Sequence, residues 1–141
     1  MDAPGRRVRS GMSVRRTAAE EASTGGRGRG SSPRVLRLAL AYLSWCECWR
    51  RELGWRPGLA DQIERAAAST LANLGEAFDS DTLPEKRRYF RYALASTGES
   101  SRLLTGVRRL DSLPPPALQE GLRLLRDIKW DLLRLIRWTR R

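Results

Sequence analysis

The chain has no histidine and only two cysteines, Cys46 and Cys48, in 141 residues. Without imidazole it lacks the commonest general base and the commonest neutral metal ligand. The cysteines stand two apart in a helical pattern, so their side chains diverge by about 200° and do not bridge each other. With no further Cys or His, a Cys-x-Cys pair makes no zinc site. Both are read as reduced core cysteines, in keeping with a cytoplasmic setting. No apolar run reaches the roughly 18 residues that a membrane span needs, so no membrane is expected as a partner. Lysine is scarce as well: Lys86 and Lys129 are the only two among 27 basic residues. The rest is arginine, whose guanidinium suits bidentate phosphate contacts and stacking.

What is present is one domain's length of chain with a net charge of +11. That balance favours polyanionic partners without choosing among them. Residues 1–33 hold seven arginines with Gly and Ser and almost no large apolar side chain. Such a segment cannot bury enough surface to offset its ordering entropy. It is expected to be a disordered, basic Arg/Gly/Ser-rich tail, either a merely solvated extension or a flexible arm with non-specific affinity for nucleic acid. Residues 34–141 are the expected folded unit.

Within that unit, apolar residues recur at steps of three and four, the signature of helices. From Leu59 to Phe78 one face carries Leu59, Ile63, Ala66, Thr70, Leu74 and Ala77. Beside it runs a polar line of Gln62, Arg65, Ser69, Asn73 and Glu76. Small residues such as Ala67, Ala72 and Gly75 allow a neighbouring helix to come close, and polar groups at that seam must find partners. A first helix is predicted over Arg34 to Leu53, closed by Gly54 and Pro57. It has two apolar stripes, one through Leu36, Leu40, Leu43 and Cys46, the other through Leu38, Tyr42, Trp45 and Trp49. A surface helix of a monomer needs only one stripe. A second stripe implies either central burial or contact with another subunit; in a small bundle the second is preferred, and Tyr42, Trp45 and Trp49 are assigned to an oligomer interface.

Thr82 and Glu85 form a capping box for a third helix, with Pro84 in its first turn. That helix carries Tyr89, Phe90, Ala93, Leu94, Thr97, Leu104 and Val107 inward and stops near Leu110. A fourth runs from Pro115 to the C-terminus with Leu118, Leu122, Leu125, Ile128, Leu132 and Ile136 as its core face. No segment reads as a strand. The expected fold is all-α, an antiparallel up-down-up-down four-helix bundle.

Catalysis finds no support in the residue types. Di-iron bundles need Glu-x-x-His repeats, and there is no His. Ser69 and Ser96 have no base to activate them, and no Gly-rich strand–turn–helix cradle is present. No cofactor is expected, and the chain is not expected to be an enzyme. Arg65, Ser69, Asn73, Glu76, Ser96 and Glu99 are instead read as an interhelical polar network that fixes helix register.

Two stretches carry a family resemblance. Gln62-Ile63-x-Arg65-Ala66-Ala67-x-Ser69-x-x-x-Asn73-Leu74-x-Glu76-x-Phe78-Asp79-Ser80 resembles the second helix of the small bacterial four-helix-bundle proteins of 23S rRNA intervening sequences. Ala93-x-Ala95-Ser96-x-x-Glu99, after Arg88-Tyr89-Phe90, is similar to that family's third-helix pattern Ala-x-Gly-Ser-x-x-Glu. Glu64 stands where the family has a basic residue, Gly75-Glu76-Ala77 reorders its Ala-Glu-Gly, and Ala95 replaces Gly. The resemblance spans roughly Leu36 to Arg137. It implies a homo-oligomeric ring, by analogy a pentamer, with a basic surface. The accessory variability protein of diversity-generating retroelements shares the family's fold, which implies a second class of function: an adaptor bound to a reverse transcriptase.

The last helix is the basic surface of interest. With Leu118 as zero, Arg123, Trp130, Arg134, Arg137 and Arg141 fall at roughly 100–160°, opposite the core stripe, with Arg126 beside them. Seven cationic residues stand against two acidic ones between Arg123 and Arg141. One reading is a solvated face whose arginines favour the helix C-terminal dipole; a tryptophan exposed among them suits base stacking beside phosphate contacts, or a protein-interface hot spot. Arg123, Arg126, Trp130, Arg134, Arg137 and Arg141 are the candidate nucleic-acid-binding residues, with RNA and DNA both open.

Overall fold

The computed structural model describes residues 32–53, 58–108 and 113–141, without the side chain of Arg108. Most of the expected tail (residues 1–31), the closing pair Gly54 and Pro57, and the expected stop near Leu110 lie outside the described residues. All regular structure in the described residues is helical: α1 (Arg34–Cys48), α2 (Arg50–Leu53), α3 (Leu59–Asp79), α4 (Leu83–Arg108) and α5 (Pro115–Trp138). The long helices form a bundle in which α1 packs on α3 and α5, and α4 packs on α3 and α5. None of the described helices is long and apolar enough to cross a membrane.

Local chemistry sets the helix ends. Gly58 begins α3 with φ of 82°, a left-handed conformation that a side chain disfavours. At the start of α4 the Glu85 N–H donates to Thr82 Oγ1 at 3.3 Å, and the Thr82 hydroxyl donates to Glu85 Oε2 at 3.2 Å. The Thr82 half of the expected capping box therefore forms, while the Glu85 carboxylate meets the Thr82 hydroxyl and not its backbone N–H. Pro115 and Pro116 open α5, where a missing N–H leaves no helical bond unmade.

The predicted first helix is interrupted. Trp49 sits at φ −104° and ψ 13°, so α1 ends at Cys48 and the short α2 follows. The Trp49 N–H still donates to Trp45 O at 3.1 Å, and Leu53 N–H to Trp49 O at 2.9 Å. Arg50 then forks across to α3, with Nη1 2.6 Å from Glu64 and Nη2 2.7 Å from Asp61. Glu64 is thus an acceptor for an arginine of this chain. Being exposed, the clamp adds little stability; what it fixes is where α2 lies against α3.

The aromatic stripe of α1 corrects the sequence reading. Tyr42, Trp45 and Trp49 are 1%, 0% and 2% exposed, so they fill the core and do not form an oligomer interface. The aromatic stripe fits inside because α5 offers small residues opposite it, whereas Leu40 of the other stripe is 50% exposed. The Trp45 Nε1–H donates to Ala117 O at 3.1 Å, and the indole lies over Gly121. Tyr42 stacks on Trp45 with ring centroids 5.8 Å apart. Cys46 is buried in the same cluster, whereas Cys48, also expected in the core, is exposed.

Half of the expected polar network exists. Ser69 and Ser96 hydroxyls meet at 2.8 Å, and Asn73 Nδ2 donates to Ser69 O at 2.9 Å. One layer deeper, Thr70 and Thr97 approach at 3.4 Å, each also donating to a backbone carbonyl four residues earlier. Arg65, Glu76 and Glu99 are exposed, and no ion pair joins Arg65 to Glu99. On α3, Arg65 and Glu76 lie roughly 20–40° further round than Ser69. That turn is enough to send long charged side chains into water while the short hydroxyls stay in the seam.

Candidate nucleic-acid interface

The interface candidate is built on α5, whose inward face buries Leu118, Leu125, Ile128, Leu132 and Ile136. Its C-terminal end is fastened to α4: Arg87 Nη2 donates to Thr139 O at 2.7 Å and Nε to Thr139 Oγ1 at 3.2 Å. The buried Thr139 hydroxyl in turn donates to Ile136 O at 2.6 Å. The last turn, and the side chains it displays, are therefore held in place.

On the outward face Arg123, Arg126, Trp130, Arg134, Arg137 and Arg141 are all exposed. Trp130 has 56% of its surface open, a large apolar ring among cations. Asp127 and Asp131 of α5 are shared with α1. Arg34 Nη1 lies 2.6 Å from Asp131 and Nη2 3.9 Å from Asp127. Arg134 lies 3.1 Å from Asp131, and Arg126 3.4 Å from Asp127. Arg34 thus offsets acidity that would otherwise cancel the cations of the face. Among the described residues, no ion pair engages Arg123, Lys129, Arg137, Arg140 or Arg141.

The sequence reading missed Trp138, which is 44% exposed, and Leu133, which is 37% exposed. A signal for Trp138 was available. Arg126, Trp130, Arg134 and Trp138 are spaced by four, which places them as consecutive neighbours along one side of a helix. Cation and aromatic alternate along that row, each step rising by about 6 Å.

Two adjoining clefts lie at the end of the bundle where α5 finishes. One, of about 330 Å³, is lined by Arg34, Val35, Phe78, Asp131, Arg134 and Leu135 among others. The next, of about 290 Å³, is lined by Phe78, Lys86, Phe90, Leu135 and Trp138. They share Phe78 and Leu135, and the second is almost wholly apolar apart from Lys86. No group of three or more His, Cys, Asp or Glu side chains among the described residues could hold a metal ion.

The model of the 23S rRNA-intervening sequence protein family matches residues 34–132. No curated protein and no solved structure matches the chain. The matched span runs from the first residue of α1 through most of α5, taking in the Ser69–Ser96 seam and the Trp45–Gly121 packing. The chain belongs to the 23S rRNA-intervening sequence protein family.

Proposed function

We propose that this protein is a non-enzymatic, cytoplasmic nucleic-acid-binding protein, an up-down-up-down four-helix bundle that associates into a homo-oligomer and binds through the basic face of α5. The observation that carries the reading is the exposed row Arg126–Trp130–Arg134. Its neighbouring acids, Asp127 and Asp131, are shared between the row's own arginines and Arg34 from another helix. Cations along the row suit phosphates, and an aromatic ring between them suits a base.

Contacts at both ends of the helices support the antiparallel order. Arg34 at the start of α1 meets Asp131 late in α5, and Trp45 late in α1 meets Ala117 early in α5. Phe78 at the end of α3 meets Phe90 early in α4, while Ser69 meets Ser96 further along. Support for a ring, a pentamer by family resemblance, comes from that resemblance alone, since the aromatic stripe first assigned to the interface fills the core. Association would set several α5 faces on one particle and raise affinity for a long polyanion by multivalency.

The test is binding of a labelled strand across a salt series. Affinity should fall on a log–log plot by about 0.9 per phosphate neutralised on duplex and about 0.7 on single strands. A second reading rests on Leu133 and Trp138, apolar groups exposed between the cations. They would suit an adaptor docking on a protein such as a reverse transcriptase. No nucleic-acid binding at 50 mM salt, with capture of that enzyme, would favour it.

A further inference from the structure

We propose that the cleft beneath Trp138 takes an unpaired nucleobase, so that the α5 face selects single strands over duplex. This rests on the nucleic-acid reading above and names the form of nucleic acid that the site fits.

Trp138 continues the row Trp130–Arg134 by another four residues, but its surroundings differ from those of Trp130. It stands half-exposed at a cleft of about 290 Å³ whose other walls are Phe78, Phe90 and Leu135. Phe78 and Phe90 meet edge to face, with centroids 5.5 Å apart. A flat aromatic group fits walls of that kind.

Electrostatics decides which part of a nucleotide would enter. α1 and α4 begin at this end of the bundle, where α3 and α5 finish, so the helix dipoles there largely offset one another. The lining is apolar apart from Lys86, so a phosphate inside the cleft would lose its water for a single cation. Lys86 Nζ donates to Ala77 O at 3.1 Å and to Phe78 O at 3.4 Å. An ammonium has three donors, so one is left for an acceptor on a base edge. Arg134 lies at the adjoining cleft, and Arg137, Arg140 and Arg141 are exposed next to Trp138 in sequence. The backbone on either side of an inserted base would therefore run over cations. A base paired within a duplex cannot enter.

The test uses the full chain and three probes of one length: a labelled single strand, the matching duplex, and the same strand with abasic sugars. The wild type should bind the single strand more tightly than the other two. Trp138→Ala should weaken single-strand binding by about five- to a hundredfold. It should change binding of duplex and abasic strand less than about twofold, and Trp138→Phe should recover part of the loss. Circular dichroism of each variant checks that the helices remain. If Trp138→Ala weakens all three probes equally, or none, while Arg134→Glu with Arg137→Glu still abolishes binding, the cleft proposal is overturned and the basic face stands. If the charge reversals change nothing, the underlying reading fails as well.

Discussion

A Cβ atom built on Gly121 would stand 2.6 Å from Cζ2 of Trp45, and 2.8 Å from both Cε2 and Cη2. The indole therefore occupies the space that any other residue at 121 would need for its side chain. Its Nε1–H, meanwhile, is satisfied by Ala117 O one turn earlier on the same helix. This fit lets α1 bury a tryptophan against α5 with its polar atom paired.

Gly121→Ala should destabilise the fold by about 1–3 kcal/mol through overpacking. Trp45→Ala should cost about 3–5 kcal/mol, because it leaves a cavity where a large ring was fully buried. Guanidinium unfolding followed by circular dichroism measures both. If Trp45→Ala lowered the mass of an assembly while leaving the unfolding midpoint unchanged, the indole would belong to an interface after all.

Arg65→Ala and Glu99→Ala should each change stability by less than about 0.5 kcal/mol, as exposed charges away from any buried partner do. Ser96→Ala should cost more, about 1 kcal/mol, since it removes the partner of a part-buried Ser69 hydroxyl. A thermal or denaturant series on the three variants checks the order, and a larger loss at Arg65 than at Ser96 would reverse the assignment.

Burial pushes the Cys46 thiol from its ordinary 9.0 to about 12, and also holds the Tyr42 hydroxyl well above its usual range. Both groups are neutral when protonated. Their contribution is therefore complete below about pH 9, where the unfolded thiol starts to ionise, and is lost as pH rises toward 12. The melting temperature should fall over that window, and Cys46→Ala should flatten the early part of the fall. In native protein near neutral pH, iodoacetamide should label the exposed Cys48 alone. Rapid labelling of Cys46 without unfolding would contradict its burial.

Helix positions were legible from the spacing of apolar residues and from the end signals at Thr82, Glu85 and Pro115. All of these depend on local chain geometry. The fate of the α1 aromatics was not legible in the same way. Whether Trp45 faces the core or a second subunit depends on the room that Gly121 and Ala117 leave on a helix some 70 residues away in sequence, and periodicity within α1 carries no such information. Arg65 was misjudged for a related reason. Helical phase puts it within a few tens of degrees of Ser69, and at a seam that difference separates a buried hydroxyl from a solvated guanidinium. The cationic side of α5 was readable because charge and exposure go together. The cleft beside Trp138 was not, because Phe78, Phe90 and Leu135 come from three helices.

The most direct measurement is a titration of wild type and the Arg134→Glu, Arg137→Glu double variant against one labelled single strand at several salt concentrations. The expected result is a steep loss of wild-type affinity with salt. The double variant should bind more weakly at every concentration and show a flatter slope, because fewer phosphates are neutralised. Equal affinity and equal slope for the two proteins would contradict a nucleic-acid-binding role for the α5 face.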